Sequence, residues 1–313
     1  MSSSDGERGL AGSVERMAPT TVARLFLASM RKHDRAAALL HHDGAKWRET
    51  PDWRFERQVI RLGLFLRERA GFVPGDRLAI VSGLRPELVV AELAAAAQGA
   101  VSVVLDPALS GPELAAALEA LAPAAMFVAD PAALQRLRSG ARALVCFDGR
   151  ADGASPWSEA LDLGGTLDTP ERAQSFRAQA RGVAAEARAL GQFVRWEAAT
   201  GFEFLTQGEA MTRVRAVRRA APAPAKKGDV VYLAGRATLA ARLEMLSFVG
   251  DGFTTAALGT PGRELAEIAE LRPQRVAAPE HVVGIAARAA PPKQRRPWWW
   301  IDRVLRPFSV PRS

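Results

Sequence analysis

From Thr20 to Asp148, apolar positions recur first at helical spacing and then in short unbroken runs. In TTVARLFLASMRKH, Val22, Leu25, Phe26 and Met30 share one face behind a threonine cap, the pattern of an amphipathic helix. Phe55, Val59, Leu62 and Leu66 form a second stripe. Thr50-Pro51 opens that helix, since proline's missing N–H costs nothing in a first turn, and Gly71 closes it. Pro74-Gly75-Asp76 predicts a turn into RLAIVS, an apolar run suited to a strand buried on both faces. A helix from Pro86 to Gln98, a strand from Ala100 to Leu105, a capping box of Ser110 with Glu113, and strands in AAMFVAD and ARALVCF continue the alternation. The pattern predicts an α/β fold, a parallel sheet flanked by helices.

Residues 149–190 are polar, rich in Gly and Ala and weakly periodic, and read as a connecting segment with room for one helix. Beyond them TQGEAMTRVRAVRRAA is helical, APAPAKKG is a short linker, and DVVYLAG, DGFTTAALG and RPQRVAA are short strands separated by the helices LAARLEMLSFV and GRELAEIAEL. The expected organisation is a disordered N-terminus (1–19), a first α/β subdomain (20–148), the connecting segment (149–190), a second, incomplete α/β subdomain (191–290) and a basic, Trp-rich tail (291–313).

Composition adds limits. A chain of 313 residues with 48% hydrophobic and 24% charged residues can bury a core. The single cysteine, Cys146, excludes internal disulfides and lies in an apolar strand, so it is expected to be inert packing. The N-terminal residues lack a signal-peptide core, and ELVVAELAAAAQGAVSVVL is broken by Glu92, Gln98 and Gly99, so no transmembrane span is expected and the cytoplasm is the expected location. Of the net charge of +8, +7 falls between Arg272 and Ser313. That concentration argues for a local surface or arm rather than for nucleic acid.

Four histidines, His33, His41, His42 and His281, offer no metal set. His41-His42 lack the spacing that places two imidazoles on one helix face and are expected in a solvated turn beside Asp43, while His281 reads as a helix start. Gly259-Thr260-Pro261-Gly262 fits neither the dinucleotide nor the Walker pattern and reads as a strand-to-helix turn.

The stretch from Trp47 to Asp130 carries a helix, a Pro-Gly-Asp turn, a strand ending at Ser82, Arg85-Pro86-Glu87 opening the next helix, and Gly99-Ala100-Val101 entering another strand. In this layout it resembles the N-terminal part of long-chain acyl-CoA synthetases of the AMP-binding, adenylate-forming family. LTQGEAMTRVRAVRRAAPAPAKKGDVVYLAG and LRPQRVAAPEHVVGIAARA resemble later segments, so the resemblance covers about Thr20 to Ala290. It implies parallel sheets flanked by helices, as in the N-terminal subdomains of those enzymes. Where that family carries a Gly-, Thr- and Lys-rich loop that holds ATP phosphates, this chain has Phe193, Val194, Arg195, Trp196, Glu197, Ala198, Ala199, Thr200 and Gly201. Trp196 brings bulk and Glu197 a negative charge in place of converging backbone amides. The family's His motif is replaced by Tyr232-Leu233-Ala234-Gly235-Arg236-Ala237-Thr238. The magnesium-binding Glu, the ribose-binding Asp and the C-terminal lid would fall beyond Ser313. Removing one preorganised donor typically lowers a rate by about a hundredfold, so joint loss leaves almost nothing.

The expectation is a truncated, catalytically degenerate acyl-CoA synthetase-like protein acting by binding or regulation in acyl or lipid metabolism. It has no catalytic or metal residue and needs no cofactor. One alternative is an acyl-activating ligase using ATP and magnesium through an unusual site or a second chain. Another is a peripheral membrane protein that uses its tail. There Arg295, Arg296, Trp298, Trp299, Trp300, Arg303 and Arg306 combine with Ile301, Val304, Leu305 and Phe308 into an apolar face with a cationic rim, which either docks on the domain or meets an anionic membrane or a protein partner.

Overall fold

The computed structural model describes residues 19–135, 140–196, 199–220, 226–252, 255–260 and 262–277. The N-terminal residues 1–18 and the tail, with Arg295, Arg296, Trp298, Trp299, Trp300, Arg303 and Arg306, lie outside these, as do His281 and Glu197.

Helix α1 (Val22–Lys32) starts as its pattern predicts, with Thr21 Oγ1 accepting from Arg24 N at 3.1 Å. Strands β1 (Leu39–His42) and β2 (Trp47–Thr50) form a hairpin. His41 and His42, expected in a turn, instead end β1, facing Arg48 and Trp47 across the ladder. The turn itself is Asp43-Gly44: Asp43 Oδ1 accepts from Ala45 N and Lys46 N at 2.9 Å, and Gly44 takes φ +97°, a conformation open to glycine. Helix α2 (Asp52–Ala70) ends at Gly71 in the left-handed conformation. Strand β3 (Arg77–Val81), helix α3 (Pro86–Ala97), strand β4 (Val101–Leu105), helix α4 (Gly111–Leu121), strand β5 (Ala125–Val128), helix α5 (Pro131–Gln135) and strand β6 (Ala143–Cys146) follow the predicted alternation. At α4 the capping box forms, with Ser110 N donating to Glu113 Oε2 at 2.9 Å.

The segment read as a connection holds strand β7 (Ser155–Pro156) and two helices, α6 (Trp157–Leu167) and α7 (Pro170–Gly182). The punctuation was present: Thr169 Oγ1 accepts from Arg172 N at 3.3 Å, with Pro170 in the first turn. Weak apolar periodicity hid it. Then come β8 (Arg188–Trp196), β9 (Ala199–Thr206), α8 (Gln207–Ala220), β10 (Val230–Leu233), α9 (Leu239–Asp251), β11 (Thr255–Leu258), α10 (Glu264–Leu271) and β12 (Arg275–Ala277).

These strands build two sheets, ordered β7-β6-β5-β3-β4-β8-β9 and β12-β10-β11-β1-β2. All neighbours are parallel except β8–β9 and β1–β2. Sheet membership does not follow chain order. β1 pairs with β11, Leu39 beside Ala256, while β8 pairs with β4, Leu190 beside Ser102.

Side chains alternate between two buried faces, which places the main core between the sheets. Leu78 and Ile80 of β3, with Leu39, Val231 and Leu258 of the other sheet, join one central cluster. Ala79 and Val81 face a second cluster with Leu114 and Leu118 of α4, and Leu40, Tyr232 and Val276 form a third on the outer face of the smaller sheet. Helix α3 runs through the central layer, buried from Leu88 to Ala97 and apolar on all sides except at Glu92.

Candidate functional site

The candidate site is the ribbon that stands where the resemblance placed a phosphate loop. Strand β8 enters the larger sheet beside β4, Val103 facing Gly191 and Val104 facing Gln192. A Cβ on Gly191 would sit 2.8 Å from Val103 Cγ2 and 3.0 Å from the Phe204 ring, so glycine serves close strand packing here. After an irregularity between Arg188 and Leu190, the antiparallel register with β9 continues to the end: Phe193 faces Phe202, Val194 faces Gly201, Arg195 faces Thr200 and Trp196 faces Ala199. Only residues 197 and 198 lie between the last pair.

Side-chain alternation divides this ribbon. On one face Phe193, Phe202 and Phe204 pack against the second core cluster, with ring centroids 5.5 Å apart for Phe193–Phe202 and 6.0 Å for Phe202–Phe204. The Arg188 guanidinium lies 4.5 Å from the Phe204 centroid. On the opposite face Gln192 Oε1 accepts from Leu239 N at 2.5 Å at the start of α9. Thr238 Oγ1 accepts from Ala241 N at 3.2 Å in the same turn. A helix N-terminus with free amides is a ready anion site, but the first turn of α9 is capped by protein oxygens.

Below this point, the ribbon is tied to the rest of the fold by a buried guanidinium. Arg242, fully buried on α9, donates from Nε to Glu92 Oε1 at 2.5 Å, from Nη1 to Gly191 O at 2.6 Å, and from Nη2 to Ser102 Oγ at 3.0 Å. Ser102 Oγ in turn donates to Glu92 Oε1 at 3.0 Å. In the sequence Glu92 stands out only as an interruption of an apolar run. A lone acid in an otherwise apolar helix was a signal that a cation must come from elsewhere.

At the segment replacing the family's His motif, Tyr232 points inward. Its hydroxyl donates to Glu267 Oε2 at 2.7 Å, and Thr260 N donates to the same oxygen at 2.9 Å. Burial, followed by the Glu267 carboxylate, pushes the Tyr232 hydroxyl far above its ordinary range, so it is no acid near neutrality. Arg236, just beyond β10, pairs with Asp106, just beyond β4.

The remaining candidates resolve as packing. Cys146 is buried, its thiol pushed up by burial, and Sγ lies 3.1 Å from Asp148 O. Burial likewise holds His41 below its ordinary value, while His42 meets Trp47 edge to face at 5.4 Å. Among the described residues no three His, Cys, Asp or Glu side chains cluster to hold a metal, and no helix is long and apolar enough to cross a membrane.

The site therefore brings Phe193, Val194, Thr200 and Gly201 together in a ladder, with the backbones of Arg195 and Trp196 continuing it. ATP phosphates need successive amides converging on an anion, and the strand pairing fits that requirement poorly. Gly201, which a loop would use for its freedom, is a strand residue opposite Val194.

The profile of the AMP-binding enzyme family matches residues 30–233. No curated protein sequence matches the chain. Among solved structures it is similar to a protein assigned as a long-chain-fatty-acid CoA ligase from Rhodopseudomonas palustris CGA009, with TM-score 0.69 and 18% identity over 88% of this chain and 67% of that one. It is also similar to MbtA from Mycobacterium smegmatis, with TM-score 0.70 and 19% identity over 93% and 54% of the two chains. The N-terminal domain of FACL13 from Mycobacterium tuberculosis gives TM-score 0.66 and 12% identity over 89% and 67%. At these identities the likeness shows the fold, parallel sheets flanked by helices as in the N-terminal domain of adenylate-forming enzymes. The chain spans about half to two thirds of the length of these structures.

Proposed function

The chain belongs to the AMP-binding enzyme family, and from that premise we propose that it is a catalytically degenerate acyl-CoA synthetase-like protein that acts by binding or regulation in acyl or lipid metabolism. One observation carries this reading: the β8–β9 ladder stays paired from Leu190–Leu205 to Trp196–Ala199, where a phosphate cradle would need unpaired, converging amides. The capped first turn of α9 supports it, because the nearest helix N-terminus already has its oxygens in place. No ATP or magnesium requirement is part of this reading.

Pyrophosphate release by the full chain, given ATP, magnesium and a panel of medium- and long-chain fatty acids, tests the proposal. The expected rate is that of the protein-free control. A rate above that control, lost when Phe193, Val194, Arg195 and Trp196 are replaced by alanine, would establish the ligase alternative.

The tail supplies the contact surface in this reading. Arg295, Arg296, Arg303 and Arg306 are attracted to an anionic membrane or an acidic partner by about 1 kcal/mol per charge near a membrane surface, while Trp298, Trp299 and Trp300 favour the interface. Co-sedimentation with anionic liposomes, compared between the full chain and a form ending at Pro292, distinguishes the membrane from a protein partner.

A further inference from the structure

At the opposite edge of the larger sheet from the ribbon, α2 and α6 flank a half-open trough of about 730 Å³, away from the β8–β9 ribbon. Trp53, Arg54, Arg57 and Arg61 line it from α2, and Trp157 and Leu161 from α6. The volume lies within the range of small-molecule clefts, roughly 300–1,000 Å³.

The walls are set by packing elsewhere. A Cβ on Gly164 would lie 2.0 Å from Arg61 O, so the two helices touch backbone to backbone at that level, and the trough lies along their first turns. Trp157 is held edge to face by Phe147 at 5.4 Å and Phe127 at 6.4 Å, which makes it a fixed apolar wall. Trp53 stands opposite in character, 67% exposed, the most exposed of the large apolar side chains among the described residues. Its indole leaves an open aromatic face beside the arginines of the trough.

The charge is also specific. Arg57 Nε and Arg61 Nε both turn to Asp168 Oδ2, at 2.5 and 3.2 Å. Among the described residues, no hydrogen bond engages the Nη nitrogens of these two arginines or any nitrogen of Arg54. Counting Asp168 as the partner of Arg57 and Arg61, and Asp162 as the acid of the lining, three guanidiniums meet two carboxylates, and one positive charge is left over. Both helices begin at this end, behind Pro51 and Pro156; neither start has a side-chain cap, but each carries an acid in its first turn, Asp52 and Glu159, so the guanidiniums rather than the helix ends set the charge of the trough.

We infer that this trough binds an amphipathic organic monoanion, an aromatic ring or hydrocarbon carrying one carboxylate or sulfonate. The apolar body packs between Trp53, Trp157 and Leu161, and the anionic group meets the free nitrogens of Arg54 and Arg57. A membrane or nucleic acid is disfavoured because Asp162 and Asp168 stand among the arginines, whereas polyanion surfaces need one sign of charge. The inference does not depend on how the β8–β9 ribbon functions.

The test is calorimetric titration of the full chain with naphthoate, and with uncharged naphthalenemethanol as its isostere. Saturable one-to-one binding of naphthoate is expected, with the alcohol weaker by about tenfold, the effect of removing a charge-assisted contact. Arg54→Gln and Trp53→Ala, both at exposed positions, each weaken naphthoate by about fivefold or more. A variant carrying Arg295→Gln and Arg296→Gln binds as the parent does. No saturable binding, equal binding of acid and alcohol, an unchanged Arg54→Gln and Trp53→Ala pair, or loss of binding in the tail variant would each overturn the inference.

Discussion

Arg242 and Glu92, 150 residues apart in sequence, meet side chain to side chain with Nε–H donating to Oε1 at 2.5 Å in a fully buried setting. The pair joins α9, which flanks the smaller sheet, to α3, and through Ser102 and Gly191 reaches two strands of the larger one. It is a polar link through the shared core layer.

Replacing Arg242 by Met leaves Glu92 buried without its cation, which costs about 3–5 kcal/mol by comparison with other buried pairs. Replacing both residues by Met removes the stranded charge along with the pair and is expected to restore most of that stability. Urea denaturation of the two variants checks this. Equal losses in the single and double variants would mean that a stranded Glu92 charge is not the source of the loss.

Glu244 of α9 gives the fold a pH dependence. Burial raises its carboxyl from 4.5 to about 7, with Arg275 acting in the opposite direction. The folded state thus holds this proton more tightly than the unfolded chain does. Its contribution is full below about pH 4.5 and is lost as pH rises through about 7. Glu244→Gln should raise the melting temperature at about pH 8, by a free energy of up to about 3 kcal/mol, with the difference shrinking toward pH 4.5. A melting difference that is constant with pH would contradict this assignment.

Two helical glycines should respond oppositely to alanine. At Gly164 the new Cβ would lie 2.0 Å from Arg61 O, a backbone atom that cannot swing aside, and a loss of about 2 kcal/mol or more is expected. At Gly182, the last residue of α7, nothing lies within 4 Å, and alanine is expected to be neutral or stabilising by up to about 1 kcal/mol. Thermal melts of both variants read the contrast directly.

Local signals in the chain were sufficient where they acted locally. Thr21 caps α1, the Ser110–Glu113 box starts α4, and the apolar run of β3 is buried on both faces, all as the pattern predicts. What could not be read were consequences of pairing between distant segments. His41 and His42 lie in a strand because β2 pairs with both and β11 with His41, and two imidazoles carry no period-two apolar signal. The helices α6 and α7 were hidden by few apolar residues, although Pro156, Thr169 and Pro170 mark their starts. At the candidate site the residue types of the ribbon can be read from the chain, but its register and its tether through Gln192 and Arg242 depend on α9, some fifty residues later. The α2–α6 trough required the contact between Arg61 and Gly164, which neither segment announces alone.

If the β8–β9 ladder leaves no cradle for triphosphate, the full chain does not hold ATP. Equilibrium dialysis of the full chain against radiolabelled ATP with magnesium measures this without requiring turnover. The account predicts no saturable binding up to millimolar nucleotide. Saturable micromolar binding that AMP competes away, and that is lost when Arg195 and Trp196 are replaced by alanine, would contradict it.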